Sequence, residues 1–164
     1  MDYFPTFFDI RHRRALVVGG GQVAERKIQL LLRAGARVAV VAEQLTENLN
    51  GRAAAGQLDA IGQTFHEDQL AGVALVIAAT SDRDLNRAVA VASRTRGIPV
   101  NVVDDPKLSS FIVPAIIDRD PVMVAVSTGG ASPVLARLMR RSLEQWLPEK
   151  LGAVARLARA WRER

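Results

Sequence analysis

Three consecutive glycines follow a short apolar run and have the spacing of a phosphate-binding turn. The spacing is Gly19-x-Gly21-x-x-Ala24, which matches the dinucleotide fingerprint with alanine as the third small residue. Gly19 would let the chain turn off a strand, the missing side chain at Gly21 would let backbone approach a pyrophosphate, and Ala24 would let a helix lie close to the sheet. Free N–H groups at the helix start would bind the phosphates. The alternative is a tight turn without a ligand.

Polar residues that follow two other apolar runs could complete such a site. Glu43 follows the run Arg37–Ala42, where an acidic side chain can accept hydrogen bonds from ribose hydroxyls and repel the 2′-phosphate of NADP. Thr80 follows the run Val73–Ala79, and open α/β sheets bind ligands at the carboxyl ends of their strands. Both positions also have a structural interpretation. Glu43 could simply be exposed ahead of a helix, and the residues after Thr80 could cap one.

A pair of adjacent carboxylates lies later in the chain, where Asp104 and Asp105 precede Pro106. One of them could act as a general base. In an extended chain the two side chains would point to opposite sides, so only one could face a pocket. The alternative is that the Asp-Asp-Pro sequence only initiates a turn.

A glycine-rich turn with arginine beyond it is a further candidate for substrate binding. Ser127, Thr128 and Gly129 lie in the turn, and Arg137 lies on the helix predicted after it. Such a turn, running into a helix that is rich in arginine, suits carboxylates. The alternative is an ordinary capped helix with a solvated face.

Alternating strand and helix patterns would position these residues. Short apolar runs predict strands, and stretches with helical periodicity predict helices between them. In chain order we predict a strand at Ala15–Val18, a helix that ends at Ala34, a strand at Arg37–Ala42, a helix at Thr46–Ala55, a weak strand at Gln57–Phe65, a strand at Val73–Ala79, a helix at Leu85–Thr95 and a strand at Gly97–Val103. This order predicts an α/β fold with a Rossmann-type, doubly wound parallel sheet.

The pattern changes after Val103. Runs at Phe111–Ile117 and Val122–Val126 predict a β-hairpin, and helices are predicted at Val134–Trp146 and Leu151–Trp161. These two helices have more apolar surface than a monomer of 164 residues easily covers. We therefore expect a homodimer.

Composition places the chain among globular proteins without cysteine chemistry. It is 49% hydrophobic and 24% charged, which suits a packed core. Zero cysteines exclude disulfides, thiolate metal sites, iron–sulfur clusters and cysteine nucleophiles.

We expect a dinucleotide-binding domain over 1–113, a hairpin and helix for dimerisation and substrate binding over 114–147, and the start of a C-terminal helical segment over 148–164.

The charge of the chain favours an anionic ligand. A net charge of +5 and a pI near 10.6 invite a polyanion. Aromatic residues are only 5% and no long basic tract occurs, so a nucleic-acid partner is not expected, whereas a small polycarboxylate or phosphate fits. No apolar run of about 18 residues and no secretory leader is found, so we expect no membrane contact and a cytoplasmic protein.

Three sequence blocks resemble the amino-terminal module of siroheme synthases, the precorrin-2 dehydrogenase and sirohydrochlorin ferrochelatase family. The blocks are VVGGGQVAERK, NVVDDPKLSSFIVPAIIDR and VAVSTGGASPVLARLMR. The resemblance implies NAD-dependent oxidation of precorrin-2 to sirohydrochlorin, followed by insertion of Fe²⁺ to give siroheme. It also implies one active site for both steps, on a Rossmann domain that dimerises.

The resemblance also implies roles for individual residues. The catalytic aspartate of the motif N-V-V-D falls on Asp104. Cofactor contacts fall on Gln22, Val23, Glu43 and Gln44, which join our candidates Gly19, Gly21 and Thr80. Our candidate substrate residues, Ser127, Thr128, Gly129 and Arg137, lie in the third of the similar blocks. The family often has serine where this chain has Thr128, and threonine keeps the hydroxyl. Fe²⁺ would be a substrate held by the macrocycle, so no metal-ligand set is expected.

Three other functions remain open at this point. One is an NAD-dependent dehydrogenase of another substrate without chelatase activity. A second is a non-catalytic domain that senses NAD, for which the polar loop at Asp104 and the turn at Ser127 would have no purpose. The third is nucleic-acid binding, for which the net charge of +5 is the only argument.

Overall fold

The computed structural model describes residues 1–162, and its larger unit, Phe4–Phe111, is built on one parallel sheet. The strands are β1 (Arg14–Val18), β2 (Arg37–Val41), β3 (Asp59–Gly62), β4 (Val73–Ala78) and β5 (Val100–Val102), in the order β3-β2-β1-β4-β5. The helices are α1 (Gln22–Arg33), α2 (Glu47–Ala54) and α3 (Arg83–Thr95), with a short 3₁₀ helix at Glu67–Leu70. The predicted Rossmann-type sheet is confirmed.

Helices cover both faces of this sheet, which explains why its strands are almost continuously apolar. All six residues of β4 are buried. Successive residues of β1 alternate between faces: Val17 packs in the cluster that contains Ile28 of α1, and Val18 packs in the cluster that contains Val89 of α3. The two hydrophobic clusters together hold the sheet between its helices.

The first helix begins and ends where its sequence changes character. Gly21 is its N-cap residue, and Ala24, Ile28 and Leu31 form a buried stripe at helical spacing. Beyond the C-cap residue, Gly35 adopts a φ of 79°, a left-handed conformation that favours glycine and ends the helix.

The second unit comprises Met1–Tyr3 and the chain from Ile112 onward. It contains the antiparallel hairpin of β6 (Ala115–Arg119) and β7 (Val122–Val126), followed by α4 (Pro133–Trp146) and α5 (Leu151–Arg162). Ser132 caps α4 by accepting a hydrogen bond from the Leu135 N–H group at 3.1 Å. The predicted hairpin and C-terminal helices are therefore confirmed.

The first hairpin strand begins later than predicted, at Ala115 instead of Phe111. The preceding residue, Pro114, has no N–H group to donate to a ladder. The Phe111 carbonyl accepts a hydrogen bond from Asn101 Nδ2 at 3.0 Å. The Phe111 backbone therefore bonds to the parallel-sheet unit and not to the hairpin. No local sequence pattern indicates this contact.

Helix α5 packs closely on the hairpin turn of its own unit. A Cβ atom at Gly152 would run into the carbonyl oxygens of Arg119 and Asp120, so this position accepts only glycine. The Arg156 guanidinium donates to the Asp120 carbonyl at 2.5 Å.

Among the described residues, no helix is long and apolar enough to cross a membrane. Our division of the chain into functional parts at residues 113 and 147 stays a prediction.

Candidate functional site

Two of the three fingerprint glycines are required by the packing of loops at the carboxyl edge of the sheet. Gly19 follows β1 with a φ of 125°, and a Cβ atom there would run into the Ala79 carbonyl after β4. A Cβ atom at Gly20 would run into the Gln44 carbonyl after β2. The turn after β1 therefore lies directly against the chain that follows the two neighbouring strands.

The third glycine faces open space. A Cβ atom at Gly21 would have no heavy atom within 4 Å, and the backbone there is extended. No side chain caps α1 at this N-cap residue, so the first N–H groups of the helix have no intrahelical partner. Gln22 and Val23 are exposed in this first turn. Open space before free N–H groups at the positive end of a helix suits the pyrophosphate of a dinucleotide.

The loop after β2 is held against this turn by hydrogen bonds that the sequence does not indicate. The Thr46 N–H group donates to the Gly20 carbonyl at 3.0 Å, and the Thr46 hydroxyl donates to Glu25 Oε2 at 2.6 Å. The same hydroxyl oxygen accepts from the Leu49 N–H group and so caps α2. A threonine N-cap can be predicted from sequence, whereas its partner on α1 cannot.

Glu43 lies in this loop with its carboxylate available. Glu43 and Gln44 are both exposed, and the Gln44 carbonyl is the one that approaches Gly20. In the part of the chain that the structure describes, the Glu43 side chain makes no hydrogen bond or ion pair. An exposed carboxylate beside a phosphate-binding turn can accept hydrogen bonds from ribose hydroxyls.

Thr80 has partners within the protein. Its hydroxyl donates to Oδ1 of the buried Asn86 at 2.9 Å, and Asn86 Nδ2 donates to the Thr80 carbonyl at 3.0 Å. Asp82 caps α3 by accepting from the N–H groups of Asp84 and Leu85. The capping interpretation therefore holds for Asp82, and a contact between Thr80 and a cofactor stays a prediction.

Asp104 lies in a turn that separates its carboxylate from that of Asp105. The Asp105 N–H group donates to the Val102 carbonyl at 3.2 Å, and Asp104 has a φ of 60°. The backbone is thus left-handed here and not extended, so our expectation of opposite side chains started from the wrong conformation. Asp105 Oδ1 accepts from the Leu108 N–H group at 3.1 Å. Asp104 is exposed and makes no such bond among the described residues.

Serine side chains fix the loop beyond Asp104. The Val102 N–H group donates to Ser109 Oγ at 2.9 Å, and Ser109 Oγ donates to the Asp105 carbonyl at 2.8 Å. The Val100 N–H group donates to Ser110 Oγ at 2.8 Å. These bonds satisfy backbone groups of β5 and hold Asp104 in a conformation that non-glycine residues rarely adopt.

The candidate substrate residues of the second unit surround the start of α4. The Gly129 N–H group donates to Ser127 Oγ at 3.0 Å, and Thr128 Oγ1 both accepts from the Ser132 N–H group and donates to the Ser132 carbonyl. The threonine hydroxyl therefore shapes the turn. Arg137 is exposed on α4 and has no side-chain partner in the described residues.

The structure thus brings one set of candidates together within Phe4–Phe111. Gly19, Gly21, Gln22, Val23, Glu43, Gln44, Thr80 and Asp104 all follow strand ends at the carboxyl edge of the sheet. Ser127, Thr128, Gly129 and Arg137 belong to the other unit. Among the described residues, no three His, Cys, Asp or Glu side chains form a metal-binding group. The substrate roles of the second set stay predictions.

The fold and the glycine turn define a dinucleotide-binding Rossmann protein, and comparison with known families agrees. Residues 6–115 match the model of an NAD(P)-binding family, and residues 119–145 match the central region of sirohaem biosynthesis proteins. The chain belongs to this NAD(P)-binding family. The resemblance to the amino-terminal module of siroheme synthases is confirmed.

Individual relatives give the extent of the similarity. Siroheme synthase 1 of Pectobacterium atrosepticum is 53% identical over 164 residues, which cover 100% of this chain and 34% of the relative. Siroheme synthase of Nitrosomonas eutropha is 52% identical over 99% of this chain and 34% of its own. The solved structure of SirC, precorrin-2 dehydrogenase, aligns with a TM-score of 0.77 and 29% identity, over 94% of this chain and 76% of that chain. This chain spans about a third of the curated relatives' length.

The open space at Gly21 generates a prediction about cofactor binding. In the variant Gly21→Val, the new side chain would occupy the volume in front of the α1 N–H groups. We expect NAD to bind at least about tenfold more weakly, measured by calorimetry, with the fold retained by circular dichroism. Gly51→Ala is the control, because Gly51 also has open space around it but lies in α2. Unchanged NAD affinity in Gly21→Val would contradict the assignment.

Proposed function

We propose that this chain oxidises precorrin-2 to sirohydrochlorin with NAD, and that the same site assists insertion of Fe²⁺ to give siroheme. The observation that carries the proposal is Asp104, an unpaired carboxylate held in a fixed turn at the edge of a dinucleotide-binding sheet. The match to SirC, named a precorrin-2 dehydrogenase, and to siroheme synthases supports the choice of substrate.

The oxidation removes two hydrogens from the substrate, one as a hydride and one as a proton. Bound NAD supplies the hydride acceptor. The N–H groups at the start of α1 and the space at Gly21 would hold its phosphates, and Glu43 its ribose. Asp104 accepts the proton, because its carboxylate oxygens are not committed to hydrogen bonds within the described protein.

Metal insertion releases two pyrrole N–H protons as Fe²⁺ enters the macrocycle. Asp104 can accept these protons in turn, passing each to solvent, because it is exposed. Fe²⁺ is a substrate in this scheme and is held by the macrocycle nitrogens. One carboxylate therefore serves both reactions, which share the need for a proton acceptor beside a tetrapyrrole.

Glu43 is expected to set the preference for NAD over NADP. A carboxylate at the ribose would repel the 2′-phosphate of NADP. In Glu43→Ala we expect NAD to bind several-fold more weakly and the preference for NAD to fall by about tenfold, measured by titration with both cofactors. Glu47→Ala, which removes the same charge from the exposed start of α2, should leave both affinities unchanged. Equal affinities of the unmodified protein for NAD and NADP would remove Glu43 from the scheme.

Asp104 and its neighbour provide a matched test of the catalytic carboxylate. Asp104→Asn should lower both dehydrogenase and chelatase rates by about a hundredfold or more, with NAD affinity unchanged, because it removes the proton acceptor only. Asp105→Asn keeps an oxygen acceptor for the Leu108 N–H group and should retain both rates within about threefold. If Asp105→Asn abolishes the reactions and Asp104→Asn spares them, the assignment is off by one residue.

We propose also that the protein is a homodimer formed through α4 and α5. Exposed apolar side chains recur along one stripe of α4, and others lie on α5: Val134, Leu135, Leu138, Met139, Leu143, Trp146, Val154, Leu157 and Trp161. Many exposed apolar side chains on neighbouring turns of a helix are typical of a protein interface. The anionic partner of the basic chain would be the tetrapyrrole, which carries several carboxylates.

A charge placed in the stripe tests the dimer. Leu138→Glu should convert the protein from a dimer to a monomer, measured by light scattering at micromolar concentration, because it buries an unpaired carboxylate in the interface. Val91→Glu is the control: Val91 on α3 is 57% exposed, close to the 53% of Leu138, but lies in the other unit. A monomeric mass for the unmodified protein would refute the dimer.

A further inference from the structure

Lys27 is a charged residue of α1 that lies beside the apolar stripe of this helix. It lies three residues after Ala24 and four before Leu31, so it shares a helix face with the buried stripe. Its side chain is half-buried, whereas the neighbouring Arg26 is exposed. Burial lowers the pKa of the Lys27 ammonium and the positive charge of Arg26 adds to this, while the carboxylate of Asp104 acts in the opposite direction.

The fold directs Lys27 toward Asp104. Helical side chains lean toward the N-terminus of their helix, and the N-terminus of α1 lies at the carboxyl edge of the sheet. Val103, which precedes Asp104, packs against the same cluster as the buried stripe of α1. The ammonium and the carboxylate are therefore within electrostatic reach of each other.

The two charges do not pair in the described protein. No hydrogen bond of the Lys27 ammonium and no ion pair within 4.0 Å is formed among residues 1–162, and Asp104 likewise has none. Partial burial of an ammonium without a partner is costly, and an apolar residue at this position would cost less. An anionic ligand that enters beside Asp104 would supply the missing partner.

We propose that the Lys27 ammonium binds a carboxylate of the tetrapyrrole substrate beside Asp104. The inference rests on the proposed function for the identity of that substrate. Lys27 is the sixth residue of α1, beyond the first turn whose N–H groups would bind phosphate. A carboxylate anchored there would hold the macrocycle next to the proton acceptor.

The experiment compares Lys27→Met and Lys27→Arg with the control Arg26→Met. Lys27→Met keeps an unbranched stem of suitable volume for the helix face, and Arg26→Met removes the same charge from the adjacent exposed position. Three quantities are measured: kcat and KM for precorrin-2 at saturating NAD, NAD affinity by calorimetry, and sirohydrochlorin affinity by fluorescence quenching. Circular dichroism verifies that each variant folds.

We expect Lys27→Met to raise KM for precorrin-2 and weaken sirohydrochlorin binding by about tenfold, as loss of one charge-assisted bond predicts. The value of kcat should stay within about threefold, and NAD affinity should not change. Lys27→Arg should recover part of the loss, and Arg26→Met should match the unmodified protein. A thermal midpoint of Lys27→Met no lower than that of the unmodified protein would agree with a residue kept for binding and not for stability.

Other outcomes overturn the inference in distinguishable ways. Weaker NAD binding in Lys27→Met would mean that Lys27 binds the cofactor phosphates, and a fall in kcat alone would mean that it acts through Asp104. Unchanged constants would mean that it binds nothing. If the unmodified protein binds sirohydrochlorin in a Lys27-dependent way but does not oxidise precorrin-2, only the proposed function fails; if it neither binds nor oxidises, both fail.

Discussion

Close backbone contact at Gly19 and Gly20 is the constraint on which the carboxyl edge of the sheet depends. Each glycine lies against a carbonyl oxygen of a neighbouring chain segment, that of Ala79 or that of Gln44, and a Cβ atom fits at neither. The turn after β1 is therefore fixed between the segments after β2 and β4. Gly21 differs from both, because a Cβ atom there would have no heavy atom within 4 Å. The three glycines thus divide into two that build the edge and one, Gly21, that leaves the space in which we propose that the cofactor binds.

The fold could be predicted from sequence where the determinants are local. Strands such as β4 are uniformly apolar because both faces are covered, and α1 has its apolar residues at helical spacing. Our predicted start of β6 at Phe111 is wrong, because the apolar run from Phe111 to Ile117 contains Pro114, which argues against one continuous strand. The boundary is set by the missing N–H group of Pro114 and by the contact of Asn101 with the Phe111 carbonyl, which links residues ten positions apart.

The candidate site also contains features that the sequence predicts and features that depend on contacts between distant segments. The spacing of Gly19 and Gly21 is local and visible in the sequence, whereas the requirement for Gly20 comes from Gln44 in another loop. The bond from Thr46 to Glu25 likewise joins distant segments. Asp104 and Asp105 could not be distinguished by residue type or spacing. Their different environments follow from one turn. The backbone of Asp104 is left-handed there, and the Asp105 carboxylate accepts a hydrogen bond from the Leu108 N–H group.

At this edge, the conformation of Asp104 and the partly buried charge of Lys27 both work against stability. A left-handed aspartate costs on the order of 1 kcal/mol or more, and a half-buried ammonium without a partner adds to the cost. Ser109 offsets the cost of the left-handed backbone at Asp104. Its hydroxyl links the Asp105 carbonyl to the Val102 N–H group of β5, and a different conformation of the turn would lose these hydrogen bonds. The carboxylate of Asp104 acts against the second cost, but among the described residues the Lys27 ammonium forms no hydrogen bond or ion pair. The difference separates the two residues: hydrogen bonds within the protein set the position of Asp104, whereas the partner that we propose for Lys27 is a ligand.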